Sequence, residues 1–371
     1  MAKSGSFDEL AEPPALRIPS DQHVEDATPG QKRRQPPGPG ISLKRKTCRV
    51  GNDPRVRKAT ATIALVLALV GFAAAVSRAT GKNGRIAFRR YFTADKTWGA
   101  IFTVDPNGTD ERQVTRPPKG SADAPPRWSP DGSLIAFTRC RKGGRCAIYT
   151  VRPDGSKLTR LTPACAAKSR CEDDTGASFV PDGRHVLFSQ FTGGIGSSLV
   201  VADLHLQHRH VVVAGTKRAS YTDGEFSPDG KHVAFVRNSE PGEKIIGVFV
   251  ATARGGGLHQ VSQTRLHAGD SPGWSPNGKW VLFRSHVEDG GASQIYLVHP
   301  NGTGLRQLTH FKAGAIVTSS RFSPDGTWIV FGTNGVGGNA DVFVMRADGR
   351  GMRPVTRTRL WDSAPAWGPA A

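Results

Sequence analysis

The sequence predicts an all-β chain folded as a six-bladed β-propeller, and three observations carry that prediction. One turn motif recurs at near-constant spacing, each copy is followed by the same order of short apolar runs, and the two ends of the array complement each other. The motif stands at Trp128-Ser129-Pro130-Asp131-Gly132. It returns as Phe179-Val180-Pro181-Asp182-Gly183, Phe226-Ser227-Pro228-Asp229-Gly230, Trp274-Ser275-Pro276-Asn277-Gly278 and Phe322-Ser323-Pro324-Asp325-Gly326, at spacings of 51, 47, 48 and 48. Proline presets φ, aspartate tolerates the bridge region and glycine takes a positive φ, which describes a type I turn with a glycine bulge between antiparallel strands.

After each glycine comes a β-branched residue, an apolar one and a phenylalanine: Ile135-Ala136-Phe137, Val186-Leu187-Phe188, Val233-Ala234-Phe235, Val281-Leu282-Phe283 and Ile329-Val330-Phe331. Continuous apolar runs of this kind suit strands covered on both faces. A third strand follows in each unit, as in Ile148-Tyr149-Thr150-Val151 and Ile295-Tyr296-Leu297-Val298. A shorter, more polar fourth ends in pairs such as Leu161-Thr162 and Leu308-Thr309. Four strands in a unit of about 45–50 residues is the arithmetic of a propeller blade. The first unit, at Asn83-Gly84-Arg85-Ile86-Ala87-Phe88, starts without its inner strand, and Ala364-Pro365-Ala366-Trp367-Gly368-Pro369 reads as an inner strand with nothing after it. Joined, they make a sixth blade, so the propeller is expected over residues 83–371 with the C-terminal strand closing the ring and removing exposed edges.

Residues 1–58 lack hydrophobic periodicity and contain Pro36-Pro37-Gly38-Pro39-Gly40, so they are read as a disordered basic cytoplasmic tail. Residues 59–77 carry no charge and are long enough to cross a hydrocarbon core of about 30 Å as one transmembrane helix. Lys44, Arg45, Lys46, Arg49, Arg55, Arg57 and Lys58 precede that segment, which places the N-terminus in the cytoplasm and the propeller outside, as a single-pass protein of the cell membrane. The alternative is secretion after signal cleavage near Ala73-Ala74-Ala75 or Ser77-Arg78-Ala79. The basic cluster is read as setting topology, and no nucleic-acid partner is expected.

Four of the five cysteines, Cys140, Cys146, Cys165 and Cys171, fall in the part placed outside, where disulfides persist; Cys48 does not. The expected pairs are Cys140 with Cys146 and Cys165 with Cys171, and crossed pairings stay open. Neither pair has zinc-site spacing.

These motifs resemble the repeat of the TolB-type propeller, found in the Tol-Pal periplasmic protein TolB and related to the propellers of prolyl oligopeptidase-like enzymes. The resemblance covers residues 83–371 and implies the same ring of four-stranded blades. TolB proper has an additional N-terminal α/β domain, where this chain has a polar tail and an apolar segment. The peptidase relatives carry their nucleophile on a further hydrolase domain, and no counterpart is read in this sequence through Ala371.

Candidate sites follow from the blade geometry. The motif turns and the turns between third and fourth strands share one face. The opposite face collects longer, mutually unlike loops, where binding usually resides. Asp123, Asp174, Asp223, Asp270 and Asp362 lie three to five residues before the aromatic of their blades, which puts them around the channel mouth. Each carboxylate is expected to satisfy nearby backbone N–H groups; a calcium ion or a basic partner segment held by the ring is the alternative. His205, His208 and His210 read as a solvated outer-strand run, with His208 and His210 on one side of a strand. No Ser-His-Asp order, carboxylate pair or phosphate loop stands out.

The function expected is an extracytoplasmic binding module or scaffold, not an enzyme, that takes a protein or an anionic cell-envelope polymer on its loop face. The balance of +14 over residues 78–371 favours the anionic partner. The alternative is a lyase or hydrolase with its active site in the channel. No cofactor is expected apart from calcium in that alternative reading of the mouth.

Overall fold

The computed structural model describes residues 81–142, 146–162, 173–192, 196–239, 247–285 and 291–370. Within these the chain is all β apart from one short 3-10 turn, Thr264–Leu266. Its twenty-four strands form six antiparallel sets of four, the first two joined into one sheet by a single parallel contact of Gly99 with Ala122. The innermost strands are Trp361–Pro369, Ser121–Trp128, Asp173–Phe179, Ala219–Phe226, Ala268–Trp274 and Val317–Phe322, for the first to the sixth set in turn. The second strands, Asn83–Tyr91, Ile135–Arg141, His185–Thr192, His232–Ser239, Val281–Ser285 and Trp328–Thr333, carry the apolar triplets. The outermost strands are as short as two residues, as at Thr159–Arg160 and Arg306–Gln307, which limits the exposed edge of each set.

The recurring motif builds the turn its residues demand. Gly132 has φ +72°, its N–H bonds Ser129 O at 2.9 Å, and the Ser129 hydroxyl donates to Asp131 Oδ1 at 2.6 Å while accepting from Leu134 N at 2.9 Å. Ser227, Ser275 and Ser323 repeat this arrangement. In the third set Val180 has no hydroxyl to offer, and Asp182 instead takes the N–H groups of Arg184 and His185 and meets the His185 ring at 2.7 Å.

A second repeated bond fixes the outer half of each set. The amides of Ile101, Ile148, Val248, Ile295 and Val342 donate to the hydroxyls of Thr115, Thr162, Ser262, Thr309 and Thr356, each fourteen residues on and each at 2.9–3.0 Å. This is why a threonine or serine follows the last apolar residue of the fourth strand. The third set has Ala214 there and lacks the bond.

One phenylalanine per set, Phe88, Phe137, Phe188, Phe235, Phe283 and Phe331, is fully buried at the same point of the second strand. Five of them stack on an aromatic of the third strand, with centroids 5.6–6.4 Å apart. The hydrophobic clusters lie between sets rather than within them: one joins the third and fourth through Leu187, Tyr221 and Phe235, and another joins the sixth to the first through Val330, Val342, Phe88 and Trp367.

That last cluster accompanies a covalent discontinuity. The first set takes its inner strand from the far end of the chain, pairing Ile86 with Trp367 and Arg90 with Asp362. Trp367 Nε1 donates to Gly84 O at 3.0 Å, and Ala370 N to Lys82 O at 2.8 Å. A side chain on Gly84 would collide with the Pro369 carbonyl, so this strand pair approaches closely only because residue 84 is glycine.

The cysteine expectation is met at Cys140 and Cys146, which face each other across adjacent strands with Cα atoms 4.1 Å apart and form a disulfide. Cys48, Cys165 and Cys171 lie outside the described residues. Among the described residues no helix is long and apolar enough to cross a membrane, and the span read at residues 59–77 lies outside them, as does the tail of residues 1–58. His208 corrects the sequence reading: it sits in a turn with φ +51°, its Nδ1 2.8 Å from Asp203 Oδ2, and the strand begins only at His210.

Removing residues 363–371 strips all but the first two residues of an inner strand and takes the buried Trp367 with it, and loss of a buried tryptophan alone costs about 3–5 kcal/mol. We expect the truncated chain to associate through its exposed edge and to melt far below the intact one. A truncated form that stays monomeric in gel filtration and melts within a few degrees of the full chain contradicts the closure.

Candidate functional site

The five aspartates singled out from the sequence stand inside the inner strands, not ahead of them, and at three different distances from the closing aromatic. Asp123, Asp174 and Asp362 are each five residues before it, Asp270 four and Asp223 three. Five inner strands shift register at the residue three before the aromatic, and in four of them that residue, Gly176, Asp223, Ser271 or Ala364, has φ between +51° and +65°. The five residues are therefore not equivalent around the ring. Asp270 lies in its strand, and its side chain is outside the described residues.

Asp123 and Asp362 are fully buried, and each grips an arginine on the neighbouring strand with both oxygens. Arg139 Nε and Nη2 donate to Asp123 at 2.6 and 2.8 Å; Arg90 Nε and Nη2 donate to Asp362 at 2.7 and 2.8 Å. In both cases the two residues are directly opposed in the strand register. Asp174, opposed by Gln190, is reached instead by Arg209 from the outer part of its set, at 3.1 Å. Each of these arginines also lies over the ring of its own set's phenylalanine, 5.2–5.6 Å from the centroid of Phe88, Phe137 or Phe188. Carboxylate on one side and aromatic face on the other hold the guanidinium rigidly.

These contacts replace the backbone capping expected at Asp123 and Asp362. At these two residues both carboxylate oxygens are engaged by the arginine. Among the described residues no three His, Cys, Asp or Glu side chains gather as a metal set. Burial raises the Asp362 carboxyl above the ordinary carboxylate range against the pull of Arg90. Burial likewise opposes the charge on Arg90, but its hydrogen bonds to Asp362 and Glu111 outweigh this and hold its pKa above the usual arginine value.

Sequence reading missed these arginines although a signal was there: Arg90, Arg139 and Arg237 all stand two residues after the phenylalanine of the apolar triplet. It also missed the residues immediately before the closing aromatics, Arg127, Glu225 and Arg321, which meet in the space enclosed by the inner strands. Arg127 Nη2 donates to Ser271 Oγ at 3.1 Å, joining the second set to the fifth, which are not neighbours.

Apart from Val211, on the outer strand His210–Val213 of the third set, the exposed large apolar side chains divide into two kinds. Leu158, Leu258 and Met352 recur at the same turn between third and fourth strands and belong to the repeat. Phe191, Ile316, Val336 and Leu360 follow no period and lie at or beyond the strand ends on the opposite face. Three of them share one neighbourhood: Asn334 bonds Ile316 through both backbone and side chain, and Asn339 Nδ2 donates to Leu360 O at 2.8 Å. Beside them Lys96 Nζ stands 3.4 Å above the Trp361 ring.

The family model of the TolB beta propeller domain matches residues 198–371. Residues 198–371 thus carry a TolB-type propeller repeat, and the chain is similar to the TolB-like propeller family. A TolB homolog of Chlorobium luteolum is 36% identical over 121 residues, 32% of this chain and 25% of that protein. An uncharacterized peptidase of Bacillus subtilis is 31% identical over 118 residues, 31% of this chain and 17% of its own length. The matched part thus spans a quarter or less of these curated relatives. The crystal structure of TolB from Acinetobacter baumannii superposes with a TM-score of 0.60 over 77% of this chain and 67% of that one, at 21% identity, a likeness of fold.

In this TolB-like propeller the Arg90–Asp362 pair is a stability element before it is anything else. Asp362→Asn leaves a guanidinium 8% exposed without one of its two carboxylates, and breaking a buried pair from one side costs about 3 kcal/mol or more. Replacing both partners together, Arg90→Met with Asp362→Leu, is expected to recover most of that loss. Urea denaturation of the two variants checks this, and equal losses in both would refute the pairing argument.

Proposed function

We propose that the chain is an extracytoplasmic binding module: a closed six-bladed propeller over residues 83–371 that takes a protein or an anionic envelope polymer on its loop face. In this reading residues 59–77 hold it in the membrane with residues 1–58 in the cytoplasm. The observation that carries the proposal is the aperiodic apolar patch of Ile316, Val336 and Leu360 beside the Lys96–Trp361 pair. Repetition explains exposed apolar groups that recur from set to set, and no such explanation covers these three. Exposed apolar groups rimmed by polar and basic ones are what an interaction surface presents.

Charge supports the same face. The buried carboxylates Asp123 and Asp362 are already neutralised by arginines, so they do not offset the positive surface that would meet an acidic partner. The alternative of a channel enzyme finds less support, because Arg127 spans the middle of the enclosed space. The likeness to proteins named for TolB, among them the Tol-Pal system protein TolB of Anaeromyxobacter dehalogenans, supports placing this chain in the same class rather than among enzymes.

The test is an affinity capture from the cell envelope with the intact chain against a variant carrying Ile316→Ser, Val336→Ser and Leu360→Ser. These positions are exposed, so melting should change by less than about 1 kcal/mol equivalent while capture of a specific partner falls at least tenfold. Undiminished capture by a variant of unchanged stability removes the patch as the binding surface.

A further inference from the structure

Arg127 sits on the inner strand of the second set with 8% of its surface exposed. Its guanidinium makes two hydrogen bonds, from Nη1 to Pro126 O at 2.9 Å and from Nη2 to Ser271 Oγ at 3.1 Å. An arginine has five N–H donors, so most of this one's capacity is left toward the enclosed space. Among the described residues Arg127 forms no ion pair. In this it differs from Arg90, Arg139 and Arg209, each of which holds a carboxylate.

A second buried guanidinium converges on the same serine. Arg321, from the sixth set, donates Nη1 to Ser271 O and lies with Nε 3.1 Å from Glu225 Oε2. Its approach depends on Gly273: a side-chain carbon there would stand 3.2 Å from Arg321 Cδ and Nη1. Glu225 is thus committed to Arg321 and to the Trp274 amide at 3.2 Å. Asp223 and Glu225 act on Arg127 only through space, and burial together with the nearby Arg321 outweighs them, lowering the pKa of Arg127 to about 9. A guanidinium kept charged at neutral pH, removed from water and given no carboxylate is the opposite of what buried charges require.

We propose that Arg127 anchors a small-carboxylate site at the centre of the enclosed space. The planar fork of its remaining N–H groups would take the two oxygens of the anion side by side. The Ser271 hydroxyl, which accepts from Arg127, has its own proton to donate. Arg321 adds a second positive charge across the site. The groups facing the anion are then Arg127, Arg321 and Ser271, with Glu225 and Asp223 balancing the charge from the fourth set. Arg127, Arg321 and Ser271 are all buried, so formate, the smallest carboxylate, is the probe suited to the site.

The experiment compares melting of the purified full chain in sodium formate and in sodium gluconate at equal ionic strength; the gluconate carboxylate is too bulky to enter. A ligand that binds only the folded state raises stability as the logarithm of its concentration above Kd, so formate should raise Tm saturably and gluconate should not. Arg127→Met should abolish the difference, and Arg127→Lys, which keeps the charge and loses the fork, should weaken formate binding about tenfold. Carbon-13 formate linewidth on the unsubstituted chain is a second readout that needs no variant. Equal melting in the two salts, absence of saturable line broadening, or a formate shift that survives Arg127→Met overturns the site.

Discussion

Everything in this fold waits on one pairing: the strand Asn83–Tyr91 against Trp361–Pro369, contributed by opposite ends of the repeat array. A four-stranded set cannot bury both faces by itself, so each set needs neighbours on two sides, and the first set has its inner strand only if the last segment of the array returns to it. The bond from Trp367 Nε1 to Gly84 O closes 283 residues of chain, which makes it among the most non-local contacts in the structure. Such contacts gain nothing until the intervening chain is ordered. Closure therefore selects for features that hold the last strand in register once it arrives. Those features are the Trp367 ring in the cluster between the sixth and first sets, and the Arg90–Asp362 pair at the other end of the same strand pair.

The arginine–carboxylate pairs follow from that demand for register. A buried pair of this kind contributes little net stability relative to a good apolar contact, because both charges lose water. It penalises misalignment strongly, since a one-residue slip moves a side chain to the other face of a strand and strands two charges. Asp123 opposite Arg139 and Asp362 opposite Arg90 sit at positions where such a slip would be most harmful, at the ends of inner strands that already carry a bulge. The phenylalanine beneath each guanidinium ties the pair to the core, so charge alignment and hydrophobic packing specify the same register.

Much of this was legible in the sequence. The turn motif carries its own conformation, because proline, aspartate and glycine each remove alternatives, and the hydroxyl of the serine that opens it supplies two hydrogen bonds. The apolar triplets gave the buried strand, and the unmatched ends gave the pairing of the first strand with the last, whose register, Ile86 opposite Trp367, only the structure shows. The carboxylates were read less well, and the reason is local. A count back from the closing aromatic treats the inner strand as regular, whereas the left-handed residues at Gly176, Asp223, Ser271 and Ala364 insert a bulge between aspartate and aromatic. Asp223 itself occupies that bulge, while Asp123 and Asp362 lie beyond it. The partners were harder still: Asp362 and Arg90 are 272 residues apart, and only the register of the assembled strands brings them together.

The division between repeated and unrepeated features is the most direct guide to function that the structure offers. Hydroxyl-to-amide bonds at fourteen-residue spacing, stacked aromatics and turn-face leucines recur because every set solves the same folding problem. The loop residues Ile316, Val336 and Leu360 recur nowhere, and Arg127, whose position Arg321 repeats with Glu225 as its partner, stands without a carboxylate; folding alone gives no account of such a guanidinium or of apolar groups left in water. They sit at different places, one set in the enclosed centre and the other on the loop face, so one can fail without the other. A repeat architecture makes such departures readable, since five neighbouring copies show what the scaffold needs at each position and the sixth shows what it does not.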